Sequence, residues 1–319
     1  MKHGRPPLPG DMAVPGRLNA AIMGVAFAVA LACLWAASHA DHWFAVAVAA
    51  VVFSFVNNTI FSLQHEAVHR HLHSSRRLNE MGGTLCAAMF PTAFGIQRVS
   101  HLGHHRRNRT DEELYDYYLP GQSRWLKTYW IYCLLTGFYW SIIPVAGFVY
   151  VIAPWVFRTR AFQAGPARWW GFERFVQDIA NERIAEVWPG AAFTLAFQTA
   201  MIALLDLTWT GWLACYWAFA LNWSSLQYVD HAWSERDVHD GAWNLKVSPV
   251  TRALFLNYHY HLVHHRWPQI PWLYLPRHAD PAEQGPSFWK IYLSLFGGAR
   301  PAPPGPGPEP LPGAARTSR

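Results

Sequence analysis

The chain has 319 residues, of which 52% are hydrophobic and only 14% charged, with 18 Trp and a formal net charge of +6. Soluble domains carry about 25% charged residues, so this composition excludes an ordinary soluble protein and suits a chain whose aromatic side chains sit at lipid–water interfaces. No Lys/Arg run lies on a polar domain, which excludes nucleic acid as a partner, and the four isolated cysteines, with no C-x-x-C, exclude zinc ribbons, iron–sulfur clusters and a disulfide scaffold.

Residues 1–17 are rich in Pro and Gly, carry Lys2, Arg5 and Arg17, and read as a flexible cytoplasmic tail. Residues 18–38 form a nearly uncharged apolar run of membrane-helix length. Ser38-His39-Ala40 resembles a leader cleavage site, but the run is long for a signal core and a second apolar run, 43–63, follows at once. The pair reads as a hairpin with a very short outer loop. Residues 64–126 are polar and rich in Arg, which the positive-inside rule places in the cytoplasm. The apolar stretch 125–157 is interrupted by Pro144 and Pro154. A single span there would put the polar segments on opposite sides of the membrane, so it is expected to lie in the interface or to dip in and return, with the prolines helping the break. Residues 158–188 read as amphipathic and interfacial. Runs 189–205 and 210–226 form a second tight hairpin, 227–298 is polar and aromatic, and Pro and Gly dominate 299–319, which reads as disordered. The expected organisation is a tail at 1–17, one membrane domain at 18–298, and a second tail.

Three clusters stand out among the 17 histidines: His65-x3-His69, His101-x2-His104-His105 and His261-x2-His264-His265. On a helix, positions i, i+3 and i+4 share a face, so each cluster aims its imidazoles in one direction. Burying such groups unpaired is costly, and protonated they repel. A metal removes both problems because its ligand is the neutral ring. Imidazole suits Fe, Zn, Cu and Ni alike, yet eight clustered histidines exceed what one four-coordinate zinc uses. Two metals is the economical reading. Glu66, Asp111, Glu112, Asp116 and Asp230 lie near the boxes and could orient ligating rings through the second ring nitrogen, or form salt bridges with nearby arginines. His71, His73, His239, His259 and those at 3, 39, 42 and 278 fall outside the pattern and read as ordinary polar residues.

With their flanking sequences, HEAVHRHLHSSRRLNEMG at 65–82, RVSHLGHHRRNRTDEELYD at 98–116 and NYHYHLVHHRWPQIPWLYLP at 257–276, these boxes resemble the membrane fatty acid desaturase superfamily. The resemblance covers residues 43–276 in order, although 120–220 match only as hydrophobic pattern. It implies an all-α integral-membrane fold, with two transmembrane hairpins (about four spans) and a cytoplasmic helical cap around a histidine-ligated di-iron site. It implies two iron ions, with O2 as co-substrate, held by His65, His69, His101, His104, His105, His261, His264 and His265. It also implies a ninth ligand just after the last span, His231 in Gln227-Tyr228-Val229-Asp230-His231. Acyl-CoA desaturases have an Asn four residues before this position; here Gln227 stands there, as a ligand, a water-mediated partner or a hydrogen-bonding group.

The chemistry implied is O2-dependent oxidation of an unactivated C–H bond of a fatty acyl or lipid-like chain, at a carbon selected by positioning. Desaturation is the leading outcome. A lipid hydroxylase, a carotenoid-type ketolase and a fatty acid decarboxylase releasing a terminal alkene use similar boxes, and a metal transporter or sensor is the alternative outside enzymes. The chain has no His-Pro-Gly-Gly motif of a fused cytochrome b5 and no cysteine set for a fused ferredoxin. An external electron donor of ferredoxin, rubredoxin or cytochrome b5 type is expected, steered by the cytoplasmic arginines. The expected location is a bacterial inner membrane with the site facing the cytoplasm.

Overall fold

The apolar runs become the long helices of the computed structural model, which describes residues 12–308. Helices α1 (Gly16–His39) and α2 (Trp43–Val68) form the first hairpin. Ala26, Ala30, Cys33 and Ala37 of α1 are buried, and such small side chains let membrane helices approach closely. By length and composition α1, α2 and the later α9 can each cross a bilayer, so this is an integral membrane protein.

Helices α3 (Arg76–Met89) and α4 (Phe94–Arg107) follow. The segment that reads as polar from sequence does not stay outside the bundle. The C-terminal half of α3 is buried, and the ring of Phe90 lies 5.3 Å from Phe61, 5.6 Å from Phe219 and 4.9 Å from Trp223. Gln198 Nε2 donates to Ala88 O at 2.8 Å and Tyr216 OH to Met89 O at 2.9 Å. Both satisfy carbonyls that a helix end leaves without an internal partner.

Helices α5 (Arg124–Leu135) and α6 (Phe138–Ile152) meet at 85°. The expected break in this stretch is present, but its cause differs from the one expected. Pro144 stays inside α6, and the turn is made at Gly137, whose φ of +76° is a conformation glycine adopts without penalty. A Cβ there would lie 2.8 Å from the backbone nitrogen of Leu221. The chain then makes a 3-10 turn at Pro154–Arg158, a short helical turn α7 (Arg160–Phe162), a π-type turn at Gln163–Ala167 and the helix α8 (Glu173–Asn181). Val176 and Ile179 are the buried residues of α8, as the amphipathic reading expects.

Helices α9 (Ile184–Leu204) and α10 (Trp209–Val229) complete the bundle. α10 is as long as α9 but carries Asn222, Ser224, Ser225 and Gln227, and it packs on α1 and α2. Asn222 Nδ2 donates to Ser54 Oγ of α2 at 3.3 Å. The cap holds the short helices α11 (Pro249–Leu254), α12 (His261–Arg266) and α13 (Leu275–His278), then α14 (Phe288–Leu295). Two short parallel pairings stitch it together, Tyr117–Tyr118 with Arg300–Pro301 and Asn244–Lys246 with Gln284–Ser287.

The expected tails need one correction. Residues 1–11 and 309–319 lie outside the described residues. Residues 299–308, disordered by composition, are instead held on the cap. Besides the strand pairing, Arg236 Nη1 donates to Pro303 O at 2.8 Å and Asp111 N to Gly307 O at 3.0 Å. Proline carbonyls still accept hydrogen bonds, so a Pro-rich segment can be ordered by donors from elsewhere. At the other end α1 already begins at Gly16, and Ala13 O accepts from Tyr274 OH at 3.1 Å.

Candidate metal centre

Four elements end at one place. His65 lies in the last turn of α2 and His69 caps it. His101, His104 and His105 occupy the last turns of α4, His231 follows α10 by two residues, and α12 carries His261, His264 and His265. The helical spacing of each box therefore points its rings together. Two groups that could hold a metal ion result: His65, His69, His101 and His264, and His104, His231, His261 and His265, with the ligand atoms of each group within 4.8 Å of one another. His105 joins the first group, its Nε2 being 3.0 Å from the Nε2 of both His101 and His264. All nine histidines singled out in the sequence are thus brought together.

The ring nitrogens test whether a metal fits. His231 Nδ1 donates to Gly241 O at 2.8 Å, and His104 Nδ1 lies 2.5 Å from Glu113 Oε1. With those nitrogens engaged, the Nε2 atoms of His104 and His231 face each other at 3.2 Å. His104 Nε2 is also 3.2 Å from His265 Nε2, and His101 Nε2 is 2.9 Å from His69 Nε2. His65 Nε2 and His261 Nδ1 are buried without a partner. Burial, and then the neighbouring imidazoles, push His101, His105, His261, His264 and His265 well below the usual histidine range. Converging lone pairs on neutral rings are what a divalent metal requires, so the residues present fit.

The acidic candidates divide. Glu66 sits 3.8 Å from His65 Nδ1 and accepts from Trp272 N at 3.1 Å. Asp111 pairs with Arg236 at 2.5 Å and Glu112 with Arg174 at 3.5 Å, both in salt bridges. Asp116 touches no histidine among the described residues. It holds Arg109 at 2.9 Å, Tyr228 OH at 3.0 Å and Trp233 N at 2.7 Å, and so fixes the chain on both sides of His231. The Asp230 carboxylate is buried with no hydrogen-bond partner among the described residues, and burial holds its acid form to far higher pH than usual. The carboxylate that grips a clustered ring is Glu113, which sequence reasoning passed over; its only signal is membership of the acidic run after the second box.

Gln227 belongs to neither group. Its Oε1 accepts from Tyr258 OH at 3.1 Å and its Nε2 is buried without a partner. It lines a cavity of about 530 Å³ together with His101, His104, His231 and His261. Trp223, Tyr139, residues of α6, Phe157, Phe162 and Phe172 give the same cavity a largely apolar lining. Such a volume is in the range of small-molecule sites. Among the bystanders, His239 is exposed, His73 Nδ1 accepts from Ser75 N at 2.9 Å, and His71 and His259 lie outside both groups.

A comparison with curated proteins finds no match. A family model described as fatty acid desaturase matches residues 41–292. Since that span takes in most of the chain, every clustered histidine and the whole cavity lining, the chain belongs to the fatty acid desaturase family.

Proposed function

We propose that this membrane oxidoreductase desaturates a fatty acyl or lipid-like chain at a di-iron centre, using O2 and electrons from an external ferredoxin-, rubredoxin- or cytochrome b5-type donor. The observation that carries this reading is the joining of nine converging imidazoles to one apolar cavity. The ligands assigned are His65, His69, His101, His105 and His264 at one iron and His104, His231, His261 and His265 at the other. Gln227 is assigned a role beside the metal through water. Residues 18–298 act as one membrane domain, with the site on the cytoplasmic face of a bacterial inner membrane, because the arginine-rich segments adjoin it.

Bound iron supplies the reduction of O2 and the oxidising power to take hydrogen from a CH2 group. The chain's own residues do the rest. Glu113 and the Gly241 carbonyl hold the Nδ1 protons of His104 and His231, which fixes the direction of each Nε2. The aromatic walls exclude water and press an alkyl chain against the histidine end, where position alone selects the carbon. Desaturation takes hydrogens from adjacent carbons and consumes two electrons and two protons per O2 reduced to water.

The test is lipid and small-product profiling, by mass spectrometry, of a host expressing the chain with a compatible redox partner. New double bonds in acyl chains are expected. Hydroxylated chains, ketones or terminal alkenes without new acyl double bonds would replace desaturation by the corresponding reaction.

A further inference from the structure

What carries the acyl chain to this site can be read from the cavity's wall and its charges. α6 lines the cavity over a broad arc that takes in Phe138, Tyr139, Ile142, Val145, Ala146 and Val149. Phe148 and Ile152, toward the C-terminal end of the same helix, do not line it and are 52% and 58% exposed. α6 belongs to the apolar bent pair, so its outer surface meets lipid. A single helix therefore separates cavity from bilayer, and Val145 both lines the cavity and is 60% exposed. Beside it segment 160–172 lines the cavity with Phe162, Ala167, Trp170 and Phe172, and Trp170 leans on Trp130 at 4.3 Å and on Phe138 at 6.5 Å.

The charges argue in the same direction. Among the described residues, the cations lining the cavity are Arg107, Arg109 and Arg174. Each is committed to a carboxylate: Arg107 to Asp178 at 2.6 Å, Arg109 to Asp116 at 2.9 Å, Arg174 to Glu112 at 3.5 Å. Glu112 and Glu113 also face the cavity. A CoA thioester brings phosphates and a carrier protein brings an acidic surface, and both are recognised by uncommitted arginines and lysines. The cavity lining thus offers no uncommitted arginine or lysine to a phosphate or an acidic carrier; the arginines of segment 160–172, Arg160 and Arg168, lie outside that lining, and Arg168 pairs with Glu173 at 3.5 Å.

We propose that the acyl substrate is drawn sideways from the bilayer, between α6 and residues 160–172, as a bilayer-resident chain and not as a CoA or carrier-protein thioester. The inference rests on the desaturase reading for what happens to the chain, but its test reads binding alone. The full-length protein in lipid nanodiscs is irradiated with three probes bearing a diazirine in the acyl chain: a fatty acid, a phosphatidylcholine and an acyl-CoA. Labelled residues are mapped by mass spectrometry. The fatty acid or the phospholipid is expected to label the cavity-facing Ile142 and Val149, and whichever does so more strongly identifies the source. Excess unlabelled fatty acid or phospholipid suppresses that labelling, and excess acyl-CoA does not. Val145→Trp or Ala146→Trp, which fill the cavity, reduce cavity labelling by about tenfold, the equivalent of roughly 1.4 kcal/mol of binding, with metal content unchanged. Phe162→Ala, which opens the wall instead, speeds labelling. Cavity labelling by acyl-CoA equal to that by the other probes would overturn the proposal. So would labelling confined to the lipid-facing Phe148 and Ile152. Cavity labelling without new double bonds in the products would leave the proposal standing and remove the desaturation reading.

Discussion

Nine imidazoles packed in one place are stable together only while they are neutral. Ala at any of His65, His69, His101, His104, His105, His231, His261, His264 or His265 removes a lone pair that no neighbour can replace. Turnover is expected to vanish and iron content to fall in each, whereas His71→Ala, His73→Ala and His239→Ala keep iron near wild type. Gln227→Ala falls between, losing more activity than iron; iron content and turnover per folded protein check the series. A pH dependence follows from burial, which lowers His71 to about 4 and His259 to about 3. The folded state holds these rings neutral, while in the unfolded chain they protonate near 6.5. Their stabilising contribution is therefore complete above about pH 6.5 and is lost as pH falls toward about 4 for His71 and about 3 for His259. Thermal unfolding of metal-stripped protein should show a larger drop in midpoint across that window in the wild type than in a His71→Phe, His259→Phe double variant. Asp116→Asn leaves the buried Arg109 without its counter-charge and is expected to cost about 3–5 kcal/mol, measured by denaturant unfolding, with iron affinity reduced because Tyr228 and Trp233 no longer anchor the chain around His231. At this scale the histidines were legible because ligand spacing on a helix is a local signal. Glu113 was not, because its contact with His104 depends on how the loop after α4 folds back, and neighbouring Asp111, Glu112 and Asp116 offer the same chemistry at other angles.

Among the elements, the bend between α5 and α6 decides whether the boxes share one side of the membrane. Gly137→Val places a branched side chain at φ +76° and against the α10 backbone. Backbone strain alone costs about 1–3 kcal/mol, so the variant is expected to fold poorly or to lose cavity shape, seen as a lower melting temperature and reduced probe binding. Cysteines placed at 115–120 and at 235–240 are expected to be labelled from the same, cytoplasmic face; labelling from opposite faces would refute the paired-hairpin topology. The apolar runs gave the long helices from sequence because length and composition suffice for a membrane helix. The buried end of α3 was hidden, since residues 82–90 are too short to read as a span, and their burial comes from Phe61, Phe219 and Trp223 supplied by other helices. The order in residues 299–308 was hidden for the same reason, because Arg236 and Tyr117–Tyr118 provide it from a distance.

For the molecule as a whole, the membrane helices matter because they bring the ends of α2, α4 and α10 to one level, and the cap then lays α12 across them. Sequence order separates His65 from His265 by most of the chain, and only this assembly turns three local boxes and His231 into two histidine groups that could hold metal. The cavity between the bundle and residues 157–176 is likewise a property of the assembled fold, with no contiguous motif to announce it. The central claim, two irons held by nine histidines, is met most directly by elemental analysis of purified, active protein alongside its His104→Ala and His264→Ala variants. The account predicts about two irons per chain in the wild type and a loss of iron in each variant. One zinc and no iron in protein that still turns over would contradict it.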